Sequence, residues 1–284
     1  MKFDKVTIIG LGLIGGSLAR ALKGSGSVEE VCGVDADRSA LKFAVSEGVV
    51  HTASAEIEEA VRGAEVVVVA THVGIITEVA KSAAEAVGNG AVITDVGSVK
   101  GWIVVEMERS LPEGVSFVGA HPIAGTERSG VRHSDGELFN GKLLIVTPTA
   151  STDPGAVEKV SGLWRLAGAE VVPMEPQVHD RIFGFVSHLP HVVAYALINA
   201  VAAQDDPPGM MGYSGGGLRD YTRIAESSPE MWRDIVLMNR DNVLSAIKEF
   251  KAALEKIERM VESGDSQGLE EEFQKSASAK REGG

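Results

Sequence analysis

The sequence contains a single cysteine, so no disulfide can form within the chain. Cys32 lies in an apolar segment that predicts a strand, and we expect it to pack in the core of a protein from a reducing compartment. The longest apolar runs, such as VVVVA at 66–70, are too short to cross a bilayer. A strand-like segment begins at residue 5, which leaves no room for a signal peptide. We therefore expect a cytoplasmic protein with no membrane partner.

Basic residues are also scarce. The chain has 27 lysines and arginines against 40 aspartates and glutamates, a formal net charge of −13. Because phosphate backbones bind to basic faces, this balance argues against a nucleic-acid partner. It also means that an anionic substrate would need a local cationic pocket. At 284 residues and 44% apolar content, the chain is long enough for two ordinary globular domains.

The first 173 residues alternate short apolar strands with amphipathic helices. Helical spacing occurs at 37–46, 75–87 and 102–110, and Asp153 with Pro154 predicts the start of another helix. Such alternation predicts right-handed crossovers and a mostly parallel sheet, the Rossmann-type α/β fold. The predicted strands are 5–10, 30–35, 65–70, 91–95, 115–119, 143–147 and 169–173.

Beyond Pro173 the strand pattern disappears and helical spacing takes its place. A stretch rich in turn formers, 204–217, predicts a flexible connection. We therefore expect an α/β dinucleotide-binding domain over 1–173, followed by an all-α domain over 174–284. The predicted helices of this second domain are 188–203, 219–226, 229–263 and 266–280.

The segment GLGLIG directly follows the first predicted strand and opens the first helix. Gly10 permits the tight turn, Gly12 lets a pyrophosphate approach the backbone, and Gly15 allows close packing of helix on strand. The amides at the helix start, from Leu13 and Ile14 onward, can donate to the phosphates. This spacing predicts a bound dinucleotide.

Asp35 ends the second predicted strand, about 20 residues further on, where a carboxylate can bind the adenine ribose hydroxyls. A carboxylate would repel a 2′-phosphate, so we expect NAD rather than NADP, although Arg38 nearby keeps NADP open. Thr71 follows the strand at 65–70 and is expected to line the cofactor. His72 beside it is either cofactor-lining or merely exposed.

The segment GAHPIAGTERSG places His121 directly after an apolar strand. Pro122 disfavours helical geometry for His121 and so holds the imidazole at the strand end. Gly125 and Gly130 leave space for a ligand, and Glu127 brings charge to the same loop. Open α/β sheets bind substrates at such strand-end loops. Taken alone, the segment is equally compatible with a surface histidine in a turn.

Two segments of the helical half carry candidate substrate ligands. SHLPH predicts a helix start capped by Ser187, with His188 and His191 on one face near the positive end of the helix dipole. A zinc pair is the competing interpretation, but no further ligand follows at a suitable spacing, so we expect no metal. The segment 215–234 supplies Arg219, Arg223 and Arg233, which suit either a carboxylate or salt bridges within helices.

Five segments occur in the order in which prephenate dehydrogenases carry similar ones, and together they cover nearly the whole chain. They are GLGLIGGSLA, DVGSVK, GAHPIAGTERSG, FGFVSHLPH and RDYTRIAESSPEMWRDI. The sequence thus resembles the prephenate and arogenate dehydrogenases of tyrosine biosynthesis. The resemblance implies oxidative decarboxylation of prephenate to 4-hydroxyphenylpyruvate with NAD as hydride acceptor.

The resemblance also implies roles for individual residues. His121 would be the catalytic base, with Ser98 orienting its imidazole and touching the nicotinamide. Arg223 and His191 would bind the substrate, and Glu127 would affect access to the site and its pH behaviour. The resemblance also implies a homodimer formed through the helical domains. A partner subunit would close the pocket at Asp220, at Trp232 and at Gly216 in the glycine loop. Feedback inhibition by tyrosine is a further expectation, because tyrosine has the shape of the product.

Three alternatives remain beside this interpretation. An arogenate dehydrogenase would handle an amine in place of the keto group, and the sequence separates the two poorly. A β-hydroxyacid dehydrogenase would resemble its relatives in using a lysine of the helical domain, but no lysine lies between Lys159 and Lys248. A dinucleotide-sensing regulator would not need His121, Ser98 and Arg223 together.

Overall fold

The computed structural model describes residues 1–125 and 128–283. Its sheet has eight strands in the order β3-β2-β1-β4-β5-β6-β7-β8, parallel except between β6 and β7. All seven predicted strands are found. The strand that was not predicted, β3, has only three residues. The strands are β1 (Phe3–Ile9), β2 (Val28–Val34), β3 (Thr52–Ser54), β4 (Val66–Val69), β5 (Val92–Asp95), β6 (Ser116–Pro122), β7 (Leu143–Thr147) and β8 (Glu170–Pro173).

Helices cover both faces of this sheet, and the buried residues form one apolar cluster on each face. In β4, Val66 and Val68 belong to one cluster while Val67 and Val69 belong to the other. Because alternate residues of a strand point to opposite faces, this apolar run is typical of a central strand covered on both sides. The helices up to β8 are α1 (Leu13–Ser25), α2 (Arg38–Ser46), α3 (Ile57–Ala60), α4 (Ile76–Ala86), α5 (Gly101–Ser110) and α6 (Pro154–Leu166).

The antiparallel pairing of β6 with β7 has a simple cause. In the described part of 123–142 the only helical element is the short 3₁₀ turn Val131–His133. A parallel connection needs a crossover of a dozen or more residues, usually a helix. The chain therefore returns along β6, and His121 lies opposite Ile145. The Rossmann-type fold with a mostly parallel sheet is confirmed, with this pair as its exception.

The chain after β8 is helical, as predicted, but several bounds differ. Helix α7 and helix α9 were not predicted, and the helix predicted over 229–263 is interrupted at Asn239. The helices are α7 (Pro176–Phe183), α8 (Leu189–Ala202), α9 (Pro207–Gly212), α10 (Gly216–Thr222), α11 (Pro229–Met238), α12 (Arg240–Ser263) and α13 (Ser266–Glu282).

The predicted helix start at Ser187 is wrong. A π-helical turn, Gly184–His188, joins α7 to α8, so one continuous helix of 27 residues runs from Pro176 to Ala202. Pro190 has no N–H to donate, and a π turn shifts the hydrogen-bond register before the proline. His188 and His191 therefore lie inside a helix, and the argument from a free helix N-terminus does not apply to them.

This continuous helix also changes the expectation about membranes. By length and composition alone it could cross a bilayer: its apolar window has a mean hydropathy of 1.4, and 11% of that window is buried. This helix was not predicted from the sequence, because the segment before residue 188 was not recognised as helical. One such helix is weak support for a membrane span.

The contacts divide the chain into two compact units, residues 1–239 and 240–284. The first holds the sheet and the helices through α11. The second consists of α12 and α13, whose turn is capped by Asp265 and which are joined by an ion pair between Lys256 and Glu272. The functional boundary predicted at 173/174 remains a prediction.

Candidate active site

The glycine loop between β1 and α1 has the geometry of a phosphate cradle. Gly10 has a φ of +98°, and a Cβ there would lie 2.6 Å from the carbonyl oxygen of Ala70. A Cβ at Gly15 would lie 1.9 Å from the carbonyl oxygen of Gly10, whereas one at Gly12 would meet nothing within 4 Å. Gly12 also provides no side-chain cap to α1. The open side of the loop and the helix N–H groups thus fit a bound pyrophosphate.

Asp35 and Thr71 flank this loop at the ends of β2 and β4. Asp35 accepts hydrogen bonds from the backbone N–H groups of Leu11 and Asp37, each at 2.8 Å. The carboxylate therefore braces the loop and keeps further acceptor capacity for a ribose. The Thr71 hydroxyl is buried and has no hydrogen-bond partner among the residues the structure describes. An orphaned hydroxyl beside the cradle fits a ligand placed there. His72 is exposed.

His121 lies on β6, next to its last residue, and is partly buried. Its Nδ1 atom is 2.9 Å from Nε2 of His179, and its ring packs edge-on against Phe183 with centroids 4.8 Å apart. Burial lowers the pKa of His121 well below its usual value, and His179, Lys100 and His188 lower it further. The imidazole is therefore neutral at neutral pH and is able to accept a proton.

The contact from His179 belongs to a longer network that begins on α7. Nδ1 of His179 is 2.8 Å from Oδ1 of Asp180, and both residues are buried. Asp180 also accepts the backbone N–H groups of Lys100 at 2.7 Å and Gly101 at 2.8 Å, where α5 begins. Neither residue was predicted from the sequence, because α7 was not predicted. The available signal was a His–Asp pair within an amphipathic turn.

A buried ion pair holds the strand ends beside His121. Lys100 and Asp95 are fully buried, and the Lys100 ammonium donates to the Asp95 carboxylate and, at 2.9 Å, to the Ala120 carbonyl. Asp95 also accepts from the N–H of Ala120 at 3.1 Å. Burial lowers the pKa of Lys100, and Asp95 opposes that shift. The pair fixes the backbone just before His121 to the end of β5, a role not foreseen from the DVGSVK segment.

Ser98 lies on the same edge of the sheet and is half-buried. Within residues 1–125 and 128–283, its hydroxyl makes no hydrogen bond to His121. The hydrogen bond to the His121 imidazole is made by His179. The orienting role that the resemblance implies for Ser98 stays a prediction. The Ser98 backbone acts on His188, whose pKa it raises against the larger effect of burial.

His188 is fully buried, and burial lowers its pKa to about 4. Asn239 donates its side-chain N–H to Nδ1 of His188 at 3.0 Å and to the Asp180 carbonyl at 2.7 Å. Since Nδ1 accepts, the proton of the neutral ring is on Nε2. The Ser98 backbone lies close enough to raise the pKa of His188, but Nε2 has no partner in hydrogen-bonding geometry within the described chain. His188 thus offers a neutral donor. Asn239, which was not singled out from the sequence, holds it in place.

His191 lies one turn further along the same helix. Its Nδ1 donates to the Ser187 carbonyl at 2.9 Å, and its ring stacks on Trp232 with centroids 3.5 Å apart. Burial lowers the pKa of His191. Trp232 is only 8% exposed, and its indole N–H has no partner among the described residues. The structure therefore brings His188, His191 and Trp232 together.

The other predicted substrate ligands among the described residues lie at exposed positions of α10 and of the 3₁₀ turn that follows it. Arg223 opens the 3₁₀ turn Arg223–Glu226, and the hydroxyl of Tyr195 on α8 donates to the Ser227 carbonyl at 2.8 Å. This bond ties the turn to the helix that carries His191. Asp220 and Gly216 lie on α10, both exposed. Glu127 lies outside the described residues.

Within residues 1–125 and 128–283, no three side chains of His, Cys, Asp or Glu lie together so that they could hold a metal ion. The site instead consists of a glycine cradle, a buried neutral histidine and a set of hydrogen-bond donors at the same sheet edge. Such a set can bind a dinucleotide and an anionic substrate and can take up one proton.

Comparison with known families gives two matches that together span most of the chain. Residues 18–173 match the nucleotide-binding domain of prephenate dehydrogenase, and residues 175–275 match the dimerization domain of the same enzyme.

Individual relatives agree with these matches. The chain is 36% identical over 271 residues to a prephenate dehydrogenase of Bacillus subtilis, covering 94% of this chain and 72% of that protein. It is 35% identical over 280 residues to a cyclohexadienyl dehydrogenase of Zymomonas mobilis, covering 98% and 95%.

A solved structure is similar over the whole chain. The prephenate dehydrogenase of A. aeolicus, crystallised with hydroxyphenyl propionate and NAD⁺, superposes with a TM-score of 0.92 at 38% identity, covering 99% of this chain and 98% of that one.

Proposed function

The chain belongs to the prephenate dehydrogenase family, and from this membership we propose how its residues carry out the reaction. The reaction is the NAD-dependent oxidative decarboxylation of prephenate to 4-hydroxyphenylpyruvate, a step of tyrosine biosynthesis. NAD, when bound, accepts the hydride that leaves C4 of the substrate ring. The C4 hydroxyl passes its proton to a base, and the bond to the ring carboxylate breaks with release of CO₂. The electron pair of that bond enters the ring, which becomes aromatic, and the proton returns to the C4 oxygen of the product.

The observation that carries the proposal is the state of His121. A neutral imidazole at the strand end can take the proton of the C4 hydroxyl as the hydride leaves. General-base help of this kind typically contributes about 10²–10⁴-fold to the rate. We assign Ser98, on the neighbouring loop, to contacts with the nicotinamide and the substrate hydroxyl.

The two carboxylates of prephenate need donors on the helical side of the site. We assign one carboxylate to Arg223, since a guanidinium binds a carboxylate through two parallel hydrogen bonds. The orphaned Nε2–H of His188 supplies a neutral donor, and His191, stacked on Trp232, forms the adjoining wall. Glu127, Asp220 and Gly216 are assigned to the entrance of the pocket.

NAD is held by the glycine loop and its neighbours. Gly10, Gly12 and Gly15 shape the cradle, and Leu13 and Ile14 lie at the helix start that faces the pyrophosphate. Thr71 supplies an unpartnered hydroxyl. Asp35 takes the ribose hydroxyls and disfavours a 2′-phosphate.

The role of Asp35 gives a cofactor-selectivity prediction. For Asp35→Asn we expect the ratio of kcat/KM with NAD to kcat/KM with NADP to fall at least about tenfold, because a charged hydrogen bond is worth about 1.5–3 kcal/mol. Initial rates with each cofactor measure the ratio. Asp37→Asn is the matched control, since Asp37 caps α2 through Ser39 and asparagine caps helices equally well. An unchanged ratio in Asp35→Asn would remove Asp35 from the ribose site.

We propose that the chain forms a homodimer through its helical part. The continuous helix Pro176–Ala202 is apolar yet mostly unburied within one chain, and a second copy is the partner that the dimerization-domain match supports. On this basis we keep the division into a dinucleotide-binding domain over 1–173 and a substrate-binding and dimerisation domain over 174–284. A cytoplasmic location agrees with a biosynthetic enzyme of this family.

The proposed function is tested by rates with two substrates and two cofactors. We expect NADH formation from prephenate with NAD, and equal amounts of CO₂ and 4-hydroxyphenylpyruvate, at a higher kcat/KM than with arogenate or NADP. A preference for arogenate would make the chain an arogenate dehydrogenase, an alternative favoured by its likeness to a cyclohexadienyl dehydrogenase. Binding of NAD without turnover of either substrate would instead support a sensing role. Adding tyrosine to the same assay tests the proposed feedback inhibition.

A further inference from the structure

We propose that His179 and Asp180 fix His121 in the tautomer that carries its proton on Nδ1, so that Nε2 is left as the proton acceptor. The proposal rests on the assignment of His121 as the base, and it adds two positioning residues to that assignment. Neither His179 nor Asp180 needs to touch the substrate.

Asp180 lies against two backbone N–H groups, which can only donate hydrogen bonds. Its two carboxylate oxygens accept the backbone N–H groups of Lys100 and Gly101 at 2.7 and 2.8 Å. Gly101 leaves room for this contact, since a Cβ there would lie 2.8 Å from Oδ2 of Asp180. A carboxylate held by two backbone donors is an acceptor toward any third group. The nitrogen of His179 that faces Oδ1 at 2.8 Å, Nδ1, therefore carries a proton.

The protonation of His179 in turn determines which nitrogen of His121 carries the proton. A neutral His179 with a proton on Nδ1 has a lone pair on Nε2, and that atom is 2.9 Å from Nδ1 of His121. Burial lowers the pKa of His179, which favours the neutral ring. Nδ1 of His121 must then donate, and Nε2 of His121 holds the lone pair. No hydrogen bond to this Nε2 is formed by any residue the structure describes.

A positive charge develops on His121 when it accepts a proton. Lys100 is the cation near His121, and it forms an ion pair with Asp95. The neighbouring histidines are His179 and His188. Asp180 is a further anion, linked to His121 through the His179 ring. The bond from His121 to His179 therefore strengthens as the imidazolium forms, and Asp180 compensates part of the charge.

Packing holds the two rings in this relation. His179 stacks on Phe183 with centroids 4.4 Å apart, and Phe183 also contacts His121. His179→Phe can therefore keep an aromatic ring in the same place while removing both nitrogens. This substitution separates hydrogen bonding from packing.

The direct test is the tautomer of His121 in the full-length protein. Histidine-selective ¹⁵N labelling distinguishes Nδ1–H from Nε2–H rings by nitrogen chemical shift, and the signal of His121 is identified by its loss in His121→Asn. We expect Nδ1–H for His121 in the unmodified protein, the less common tautomer of a free imidazole. In His179→Phe we expect Nε2–H to become the major form. An Nε2–H ring at His121 in the unmodified protein overturns the proposal, whether or not any variant folds.

Kinetics provide the second readout. His179→Phe should lower kcat at least about tenfold. The largest loss we expect is the whole contribution of a general base, about 10²–10⁴-fold. The KM for prephenate should change less than about threefold. His51→Phe is the comparison variant, because the His51 ring also makes a hydrogen bond, accepting from the Val31 N–H at 2.9 Å, but takes no part in this network. Equal kcat in His179→Phe and His51→Phe would refute the positioning role. Full activity of His121→Asn would refute the assignment of the base and leave the tautomer result standing.

Discussion

Substitution of His121 by asparagine is expected to lower kcat by about 10²–10⁴-fold while leaving KM for prephenate nearly unchanged. Asparagine occupies a similar volume and can keep a hydrogen bond toward His179, but it cannot accept a proton at neutral pH. The loss should therefore fall on the chemical step rather than on binding. Steady-state rates of NADH formation measure both constants.

Two observations control this result. The midpoint of thermal unfolding should change little, because Lys100 and Asp95 still tie the Ala120 backbone to the end of β5. The dissociation constant of NAD should also remain the same, since the glycine loop is untouched. If His121→Asn turns over prephenate at the unmodified rate, His121 is not the base.

Substitution of Arg223 by alanine is expected to act on binding instead. A hydrogen bond between charged groups is worth about 1.5–3 kcal/mol, so its loss should raise KM for prephenate by about 10- to 150-fold. The change in kcat should be much smaller, because the carboxylates of prephenate lie away from the C4 hydroxyl. A series of rates at increasing prephenate concentration separates the two effects.

Arg219→Ala provides the matched comparison. Arg219 is also an exposed arginine of this segment, one turn before Arg223, and donates to the Ser214 hydroxyl at 3.2 Å. We expect its removal to leave KM within about threefold of the original value. Equal KM values for the two variants would take Arg223 out of the carboxylate site.

Much of the fold could be predicted because it depends on local patterns. The run at 66–69 is apolar at every position, and the glycines at 10, 12 and 15 have the spacing of a strand followed by a helix. The antiparallel return of β7 could not be predicted in this way, since it depends on a long connection whose described residues include no crossover helix. The helix that carries His179 and Asp180 was missed because its pattern continues through a π turn and Pro190.

The candidate site shows the same division. Its cofactor half is formed by neighbours in sequence or by strands whose ends meet at one sheet edge, and such contacts follow from a strand and helix assignment. The network behind His121 joins residues that are far apart: His179 lies 58 positions from His121, and Asp180 lies 80 positions from Lys100. Neither spacing has a local signature. The role of Asn239 depends in addition on a helix break that the sequence pattern did not reveal.

The pH dependence of kcat/KM for prephenate tests most directly the claim that a neutral, buried His121 accepts the substrate proton. The pKa of His121 is lowered below 6.5, and only the neutral ring accepts a proton, so activity is retained at neutral pH and lost as the pH falls through the lowered pKa. We predict an acid limb with a midpoint below pH 6.5 in the unmodified protein and the loss of that limb in His121→Asn. A midpoint above pH 6.5, or the same acid limb in both proteins, would contradict the account.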